Sequence, residues 1–181
     1  MAGPVAEAAA RPPVPPAELK AFLRLAASDE DALLAALVRS AADACEAFVG
    51  RLLIARGVAE ALPASTGWTR LGLAPVRAIE SVAALGADGA ETALPAAAFA
   101  IDIDAAGEGW VRLTAPRDER RVQVRYTAGL AEEANGVPEA IRHGIVRLAA
   151  HLYARRDTAE PAPPPAAVSA LWRPWRRLRL S

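Results

Sequence analysis

The chain is poor in aromatic residues, which make up 5% of its 181 positions, although hydrophobic residues reach 53%. Much of the hydrophobic fraction is alanine, and Lys20 is the only lysine beside many arginines, a usage typical of a GC-rich genome. A core built from small side chains is thin. We therefore expect part of the apolar surface to be buried against other subunits.

Net charge, disulfides and long apolar runs are also lacking. Lysine plus arginine number 21 and aspartate plus glutamate number 21, and this balance argues against a free-standing nucleic-acid binder. Cys45 is the only cysteine, which excludes an intramolecular disulfide and fits a reducing cytoplasm. The sequence has no uncharged apolar stretch of about 18 residues and no signal-peptide pattern in residues 1–16, so we predict no membrane span.

Hydrophobic periodicity predicts helices at residues 16–26, 29–56 and 138–156. Proline favours the first turn of a helix, and Ser28 with Asp31 forms a capping-box-like start for the long middle helix. The apolar stripe of that helix consists of Leu33, Leu37, Ala41, Cys45, Phe48 and Leu52. The last helix has a stripe wide enough to pack against the long one.

Between these helices, residues 58–128 change to a period of two, which is typical of strands. The runs are Trp68–Leu73, Ile79–Leu85, Phe99–Ile103, Gly109–Leu113 and Val122–Tyr126. Asp88-Gly89 between two apolar runs predicts a hairpin. The sequence therefore predicts an α+β, mainly helical fold: long helices packed together, a small inserted antiparallel β-sheet and an extended C-terminal tail.

The predicted organisation has three parts. Residues 1–14 are rich in alanine and proline and are expected to be flexible, residues 15–157 form the folded domain, and residues 158–181 form a linker and an anchoring tail. The tail itself, residues 171–180, has four arginines, two tryptophans and no acidic residue. Its candidate binding residues are Leu171, Trp172, Arg173, Trp175, Arg176, Arg177, Leu178 and Leu180.

Three roles are open for this tail. Tryptophan and arginine are enriched at interface hot spots, so docking to a partner protein is favoured. Arginine also binds phosphate and tryptophan stacks on bases, so contact with nucleic acid is the second role. The third is packing of the tail onto the chain's own domain.

Residues that could carry chemistry are few, and each has a structural explanation. His143 and His151 lie eight residues apart, about 12 Å by helical rise, too far to share a metal. Cys45 sits in the apolar stripe of the middle helix, where packing is favoured over nucleophilic use. We interpret both histidines as surface or hydrogen-bonding residues.

Asp102 and Asp104, with Glu108 nearby, could form an acid–base pair or a cation site. Their spacing does not fit a calcium loop, and a solvated strand edge is favoured. A glycine-rich phosphate loop and a nucleophile elbow are also missing from the sequence. We therefore predict no catalytic residue, no metal and no cofactor, and hence no enzyme.

Four segments, read in order, carry a resemblance to a known family. They are residues 17–51, which close on Glu46-Ala-Phe-Val-Gly-Arg51, then Pro75–Val82 with Asp88-Gly89 after it, Val122–Gly129, and Val137–Arg155. Together they cover roughly residues 15–156 and resemble the head–tail connector (adaptor) proteins of tailed phages and gene transfer agents. In that family a short helix leads into a long helix, a central strand-and-hairpin region follows, and a long helix closes the domain.

The resemblance implies a structural subunit of a dodecameric ring beneath the portal, extending the DNA channel and joining head to tail. The implied partners are copies of the chain, the portal protein, and a stopper or tail-completion protein, with no membrane. DNA would pass through the lumen without sequence-specific binding. The protein would occupy the bacterial cytoplasm during assembly and then the head–tail junction of the particle.

The tail residues given above are the predicted portal contacts, and Phe48, Arg51 and Arg155 are predicted at the subunit interface. Three alternatives stay open at this point. They are a DNA-binding component of the packaging apparatus, another head-completion or stopper protein, and a small α+β enzyme whose site the sequence does not reveal.

Overall fold

The computed structural model describes residues 3–156 and 164–177. The helices in these ranges are α1 (Pro16–Leu23), α2 (Asp31–Val49), α3 (Glu139–Ala154) and α4 (Ala166–Trp172). The strands are β1 (Val5–Ala6), β2 (Arg56–Pro63), β3 (Thr69–Arg70), β4 (Val76–Leu85), β5 (Glu91–Ala93), β6 (Phe99–Ile103), β7 (Gly109–Leu113) and β8 (Arg121–Ala128). The helices and strands form two compact units. The sheet unit is built from residues 3–9 and 55–130, and the helical unit from residues 10–54, 131–156 and 164–177.

The sheet unit contains two antiparallel sheets rather than the single small sheet that the sequence predicts. One sheet has five strands in the order β1-β2-β8-β4-β5, and the other has three in the order β3-β7-β6. The alternation predicted for β8 is confirmed, because Val122, Val124 and Tyr126 are buried whereas Arg125 is exposed. The predicted hairpin at Asp88-Gly89 is also confirmed, since it joins β4 to β5 with Ala84 opposite Thr92.

In the helical unit α2 and α3 pack against each other, α1 contacts both, and α4 lies mainly against α3. Helix α2 buries Leu34, Val38, Ala41, Ala42, Cys45 and Val49. Its buried stripe is therefore displaced by one residue from the predicted one at its start, where Leu33 is 36% exposed. The predicted Ser28 cap is wrong as well, because α2 begins at Asp31 after Glu30 and has no side-chain cap.

The prediction of a mainly helical fold with long packed helices is wrong. The helices are 8, 19, 16 and 7 residues long, and two sheets accompany them. Helix α2 ends at Val49, well before residue 56. Gly50 follows it with a left-handed backbone (φ +68°), which glycine adopts readily and which stops the helix. The chain then turns, and the Leu53 amide donates to the Glu46 carboxylate at 2.8 Å.

The extended tail is wrong too, because residues 166–172 form α4 and Arg173–Trp175 form a 3₁₀ turn. Val168 and Trp172, one helical turn apart, are both buried, and this apolar spacing gives the short helix a face to bury. Near the other end of the chain, the segment predicted to be flexible contains β1, which pairs with β2. The division into residues 1–14, 15–157 and 158–181 remains a prediction.

No helix in the described ranges is both long and apolar enough to cross a bilayer.

Candidate docking segment and strand edge

Residues 166–177, which we call the docking segment, belong to the helical unit and pack against its helices α2 and α3 through Trp172. This side chain is completely buried. Its indole Nε1–H donates to the carbonyl oxygen of Ile141 on α3 at 3.2 Å. Its ring centroid lies 5.9 Å from that of Phe48 on α2, at an interplanar angle of 54°. Trp172 is therefore satisfied in both its apolar and its polar requirement inside the chain.

Gly144 creates the space for this tryptophan. A Cβ atom at position 144 would lie 2.1 Å from the Trp172 Nε1 atom, far closer than any packed contact. Glycine inside a helix is unfavourable by about 1 kcal/mol relative to alanine. Its presence in α3 is explained by this close approach of the indole.

The end of the docking segment contacts the C-terminal end of α2. The Arg177 amide donates to the carbonyl oxygen of Val49 at 2.7 Å, and the side chain of Arg177 is largely buried. The Arg176 guanidinium carbon lies 5.7 Å from the Phe48 ring centroid, within the range of a cation–π contact. A cationic segment at this place also suits the negative end of the helix dipole.

The predicted tail residues other than Trp172 and Arg177 lie on the exposed, outer side of the docking segment or beyond the described residues, and Arg176 lies there although its guanidinium reaches the Phe48 ring. Arg173 and Arg176 are exposed, and Leu171 and Trp175 are half-buried. Leu178 and Leu180 lie outside the described residues. Trp172, Arg176 and Arg177 thus meet at Phe48 and the end of α2, whereas the portal-binding role of the tail stays a prediction.

The three residues predicted at the subunit interface differ in their surroundings. Phe48 is half-buried and packs beside the fully buried Trp172. Arg51 follows the end of α2, is half-buried, and its Nε has no hydrogen-bond partner among the described residues. Arg155 is exposed just after α3. Their interface role also stays a prediction.

The candidate chemical residues do not assemble into a reactive site in the described part of the chain. His143 is exposed and His151 is half-buried on α3, and the described residues contain no cluster of ligands that could hold a metal. Burial, with a smaller contribution from the Glu46 charge, strongly raises the pKa of the Cys45 thiol. A thiol held neutral in this way is a packing residue, not a nucleophile.

The carboxylates near β6 are structural as well. Asp104 Oδ1 accepts hydrogen bonds from the amides of Ala106 and Glu108, each at 2.9 Å, and so fixes the turn between β6 and β7. Asp102 is exposed on β6. The Glu108 carboxylate lies 4.0 Å from the guanidinium of Arg70.

A buried polar group in the sheet unit escaped the sequence reasoning. Glu60 on β2 is 6% exposed, and its carboxylate accepts from the Tyr126 hydroxyl at 2.8 Å and from the Gly72 amide at 2.9 Å. The Tyr126 hydroxyl in turn accepts from the Leu73 amide at 3.2 Å. This network satisfies the carboxylate and holds the segment before β4 against the sheet.

The second missed feature is an apolar strand edge. On β6, Ile101 is 44% exposed and Ile103 is 37% exposed. On the opposite face of the same sheet, the Arg112 guanidinium carbon lies 4.9 Å from the centroid of Trp68, which is 46% exposed. The only available signal was the apolar alternation of residues 99–103, which cannot tell a free edge from a paired strand.

Comparison with known proteins gives a consistent result at the level of structure. No protein-family model matches the chain, and no curated protein is significantly similar to it. A chain from the neck of an empty gene transfer agent (GTA) particle, computed with C6 symmetry, is 27% identical with a TM-score of 0.80. A chain from the virion of a native GTA particle is 28% identical with a TM-score of 0.77.

A chain from the neck of a native GTA particle, computed with C12 symmetry, is 27% identical with a TM-score of 0.73. Each of these three similarities covers 98% of this chain and 97% of the other. The resemblance to connector proteins that was predicted from the sequence is therefore confirmed, and the similarity extends past residues 15–156 to nearly the whole chain.

Proposed function

We propose that this chain is a structural subunit of the neck of a phage-like particle, a head–tail connector (adaptor) that forms a ring beneath the portal. The observation that carries the proposal is the match over 98% of the chain, with a TM-score of 0.80, to a chain in a GTA neck. The similar chains are parts of GTA necks and of a GTA virion, which supports a structural rather than an enzymatic role.

Ring formation is supported by the symmetry of the similar particles. Their necks were computed with C6 and C12 symmetry, which fits twelve copies around one axis. A cyclic ring requires two different, complementary faces on each subunit. A core rich in alanine, with apolar side chains such as Ile101 left exposed, is consistent with burial of further surface between copies.

Portal docking is assigned to the outer side of the docking segment. Trp172 is fully buried, so its part is to place the segment rather than to reach a partner. Arg173 and Arg176 are exposed and Trp175 is half-buried beside them, which leaves one aromatic ring and two cations for a partner surface. This composition is that of an interface hot spot. Acidic groups on the portal would pair with the two arginines.

The wider setting follows from the same proposal. Copies would assemble in the bacterial cytoplasm and then remain at the head–tail junction of the particle. A stopper or tail-completion protein would bind the end of the ring away from the portal. DNA would pass through the lumen, where a net charge of zero avoids a strong hold on phosphates.

Incorporation into particles tests the docking assignment. The double variant Arg173→Ala, Trp175→Ala removes exposed and half-buried side chains, so it should fold normally. It should copurify with particles roughly thirtyfold less than the parent chain, the loss that corresponds to a hot spot of about 2 kcal/mol. The matched control is Phe22→Ala on α1, which removes an aromatic that is 52% exposed elsewhere in the helical unit. It should be incorporated normally.

Two other results would count against the proposal. Normal incorporation of the double variant would remove the docking segment from portal binding. Images of particles that locate the chain away from the neck would remove the connector function itself.

A further inference from the structure

Strand β6 forms one edge of the three-stranded sheet and is the longest edge strand in the described part of the chain. It lies at the end of the order β3-β7-β6 and is five residues long. The other edge strands among the described residues are shorter, two residues in β1 and β3 and three in β5. An edge strand presents unpaired amides and carbonyls along its free side, and proteins normally keep such edges short.

The hydrogen-bond phase shows which residues of β6 face outward. The Asp104 amide donates to the Glu108 carbonyl at 3.0 Å, and the Thr114 amide donates to the Ala98 carbonyl at 3.0 Å. In an antiparallel ladder such pairs alternate with pairs whose main-chain groups point away from each other. The even-numbered residues therefore bond to β7. The amides and carbonyls of Phe99, Ile101 and Ile103 point to the open side.

The same residues carry apolar side chains. In the ladder Phe99 lies opposite Leu113, and Ile101 lies opposite Val111. Both partners are 3% exposed, so this face of β7 belongs to the core, and on β6 the face continues outward as partly exposed isoleucines. The open side of β6 has no proline or lysine to block pairing.

We propose that the next copy of this chain in the ring adds an extended strand to the free edge of β6, with Ile101 and Ile103 covered by the added strand and its flanking residues. This inference rests on the proposed ring. Outward-pointing amides and carbonyls at alternate residues are the groups to which an extended peptide bonds when it adds a strand to a sheet edge. In a ring with the C6 or C12 symmetry of the similar necks, each subunit has an identical copy on either side, so a copy is the polypeptide beside it in the ring.

Hydrogen exchange at single amides tests the pairing directly, comparing the isolated chain with the chain in purified particles. In the isolated chain the Ala100 and Asp102 amides should exchange slowly, because they bond to β7, whereas the Ile101 and Ile103 amides should exchange fast. In particles exchange of the Ile101 and Ile103 amides should slow by at least about a hundredfold, the protection expected of amides bonded within a sheet. Unchanged fast exchange in rings seen at the neck would overturn strand addition while leaving the connector function intact.

Variants separate backbone pairing from side-chain packing. Ile101→Pro removes an outward amide that β7 does not use, which an edge strand tolerates, and it should reduce incorporation into particles more than Ile101→Ala, which keeps the amide. Equal loss in both variants would overturn strand pairing.

Val5→Lys is the matched control, since Val5 is a β-branched residue 67% exposed on the edge strand β1. It should be incorporated normally, whereas Ile101→Lys should fall at least about tenfold below the parent chain. If Ile101→Lys and Val5→Lys were both incorporated like the parent chain, β6 would not be the site where copies meet. A β6 edge covered in particles by a different protein would overturn the assignment to a second copy. A chain absent from necks would overturn the connector function and this inference together.

Discussion

The fit between Trp172 and Gly144 determines the placement of the docking segment at the level of single residues. On a helix free of neighbours, replacing glycine by alanine is stabilising by about 1 kcal/mol. Here the added methyl group would meet the indole at 2.1 Å. We therefore expect Gly144→Ala to lower the free energy of unfolding by about 1–3 kcal/mol, the usual effect of overpacking. Urea unfolding followed by tryptophan fluorescence measures the change.

The control for this prediction is Ala150→Gly in the interior of the same helix, which has no glycine-sized gap to fill and should destabilise by about 1 kcal/mol through helix propensity. A Gly144→Ala protein that is more stable than the parent chain would contradict the tight fit. It would mean that α4 has room to move away from α3 without loss.

Trp172 also shows the limit of sequence reasoning for one residue. The sequence identified Trp172 and Trp175 as notable but could not distinguish them, because buried cores and interface hot spots favour the same aromatic residues. What separates the two is the spacing of Val168 and Trp172 on one face of α4 and the gap left by Gly144 on α3. The second of these depends on residues distant in sequence.

At the level of elements, the strands with regular apolar alternation could be predicted and those with a polar exception could not. The bounds predicted for Phe99–Ile103 and Gly109–Leu113 match β6 and β7. Strand β2 escaped prediction because an inward position is taken by Glu60, whose burial depends on the distant hydroxyl of Tyr126. The end of α2 was placed too late, since apolar residues continue past Gly50.

One link between elements of the helical unit should depend on pH. The Tyr153 hydroxyl near the end of α3 donates a hydrogen bond to the Glu30 carboxylate just before α2. This bond, with smaller contributions from desolvation and the Glu30 charge, raises the pKa of Tyr153 above its ordinary value. Because the folded-state pKa is the higher one, the stabilisation is complete below the pKa of unfolded tyrosine, about 10. It is lost as pH rises through the folded-state pKa.

We therefore expect the free energy of unfolding to fall more steeply above about pH 10 in the parent chain than in Tyr153→Phe, which has no hydroxyl to lose. Urea unfolding at a series of pH values from 8 to 11 gives the two slopes. Glu30→Gln is a second control that should flatten the slope by removing the acceptor charge. Identical slopes in the parent chain and Tyr153→Phe would show that the bond contributes nothing to folding.

For the whole molecule, composition and segment order were more informative than any single motif. The lack of a cysteine site and of a phosphate loop in the sequence predicted a structural protein, and the order of four ordinary segments predicted the connector family. Similarity over 98% of the chain to GTA neck chains bears out the resemblance. The balance of helix and sheet could not be predicted in the same way, because the pairing of β2 with β8 joins distant parts of the chain, from Arg56 with Ala128 to Pro63 with Arg121.

Because the net charge is zero, we expect DNA binding to distinguish a channel that DNA only passes through from a tail that binds DNA. If DNA only passes by, the purified chain should bind a short duplex with a dissociation constant weaker than about 10⁻⁵ M at physiological salt, with a shallow dependence on salt. Fluorescence anisotropy at several salt concentrations gives the slope. If the tail instead held DNA, each phosphate-bound arginine would steepen the log–log slope by about 0.9. The variant Arg173→Ala, Arg176→Ala would then lose roughly two of those units, whereas for a portal-docking tail it should leave the slope unchanged and reduce only incorporation into particles.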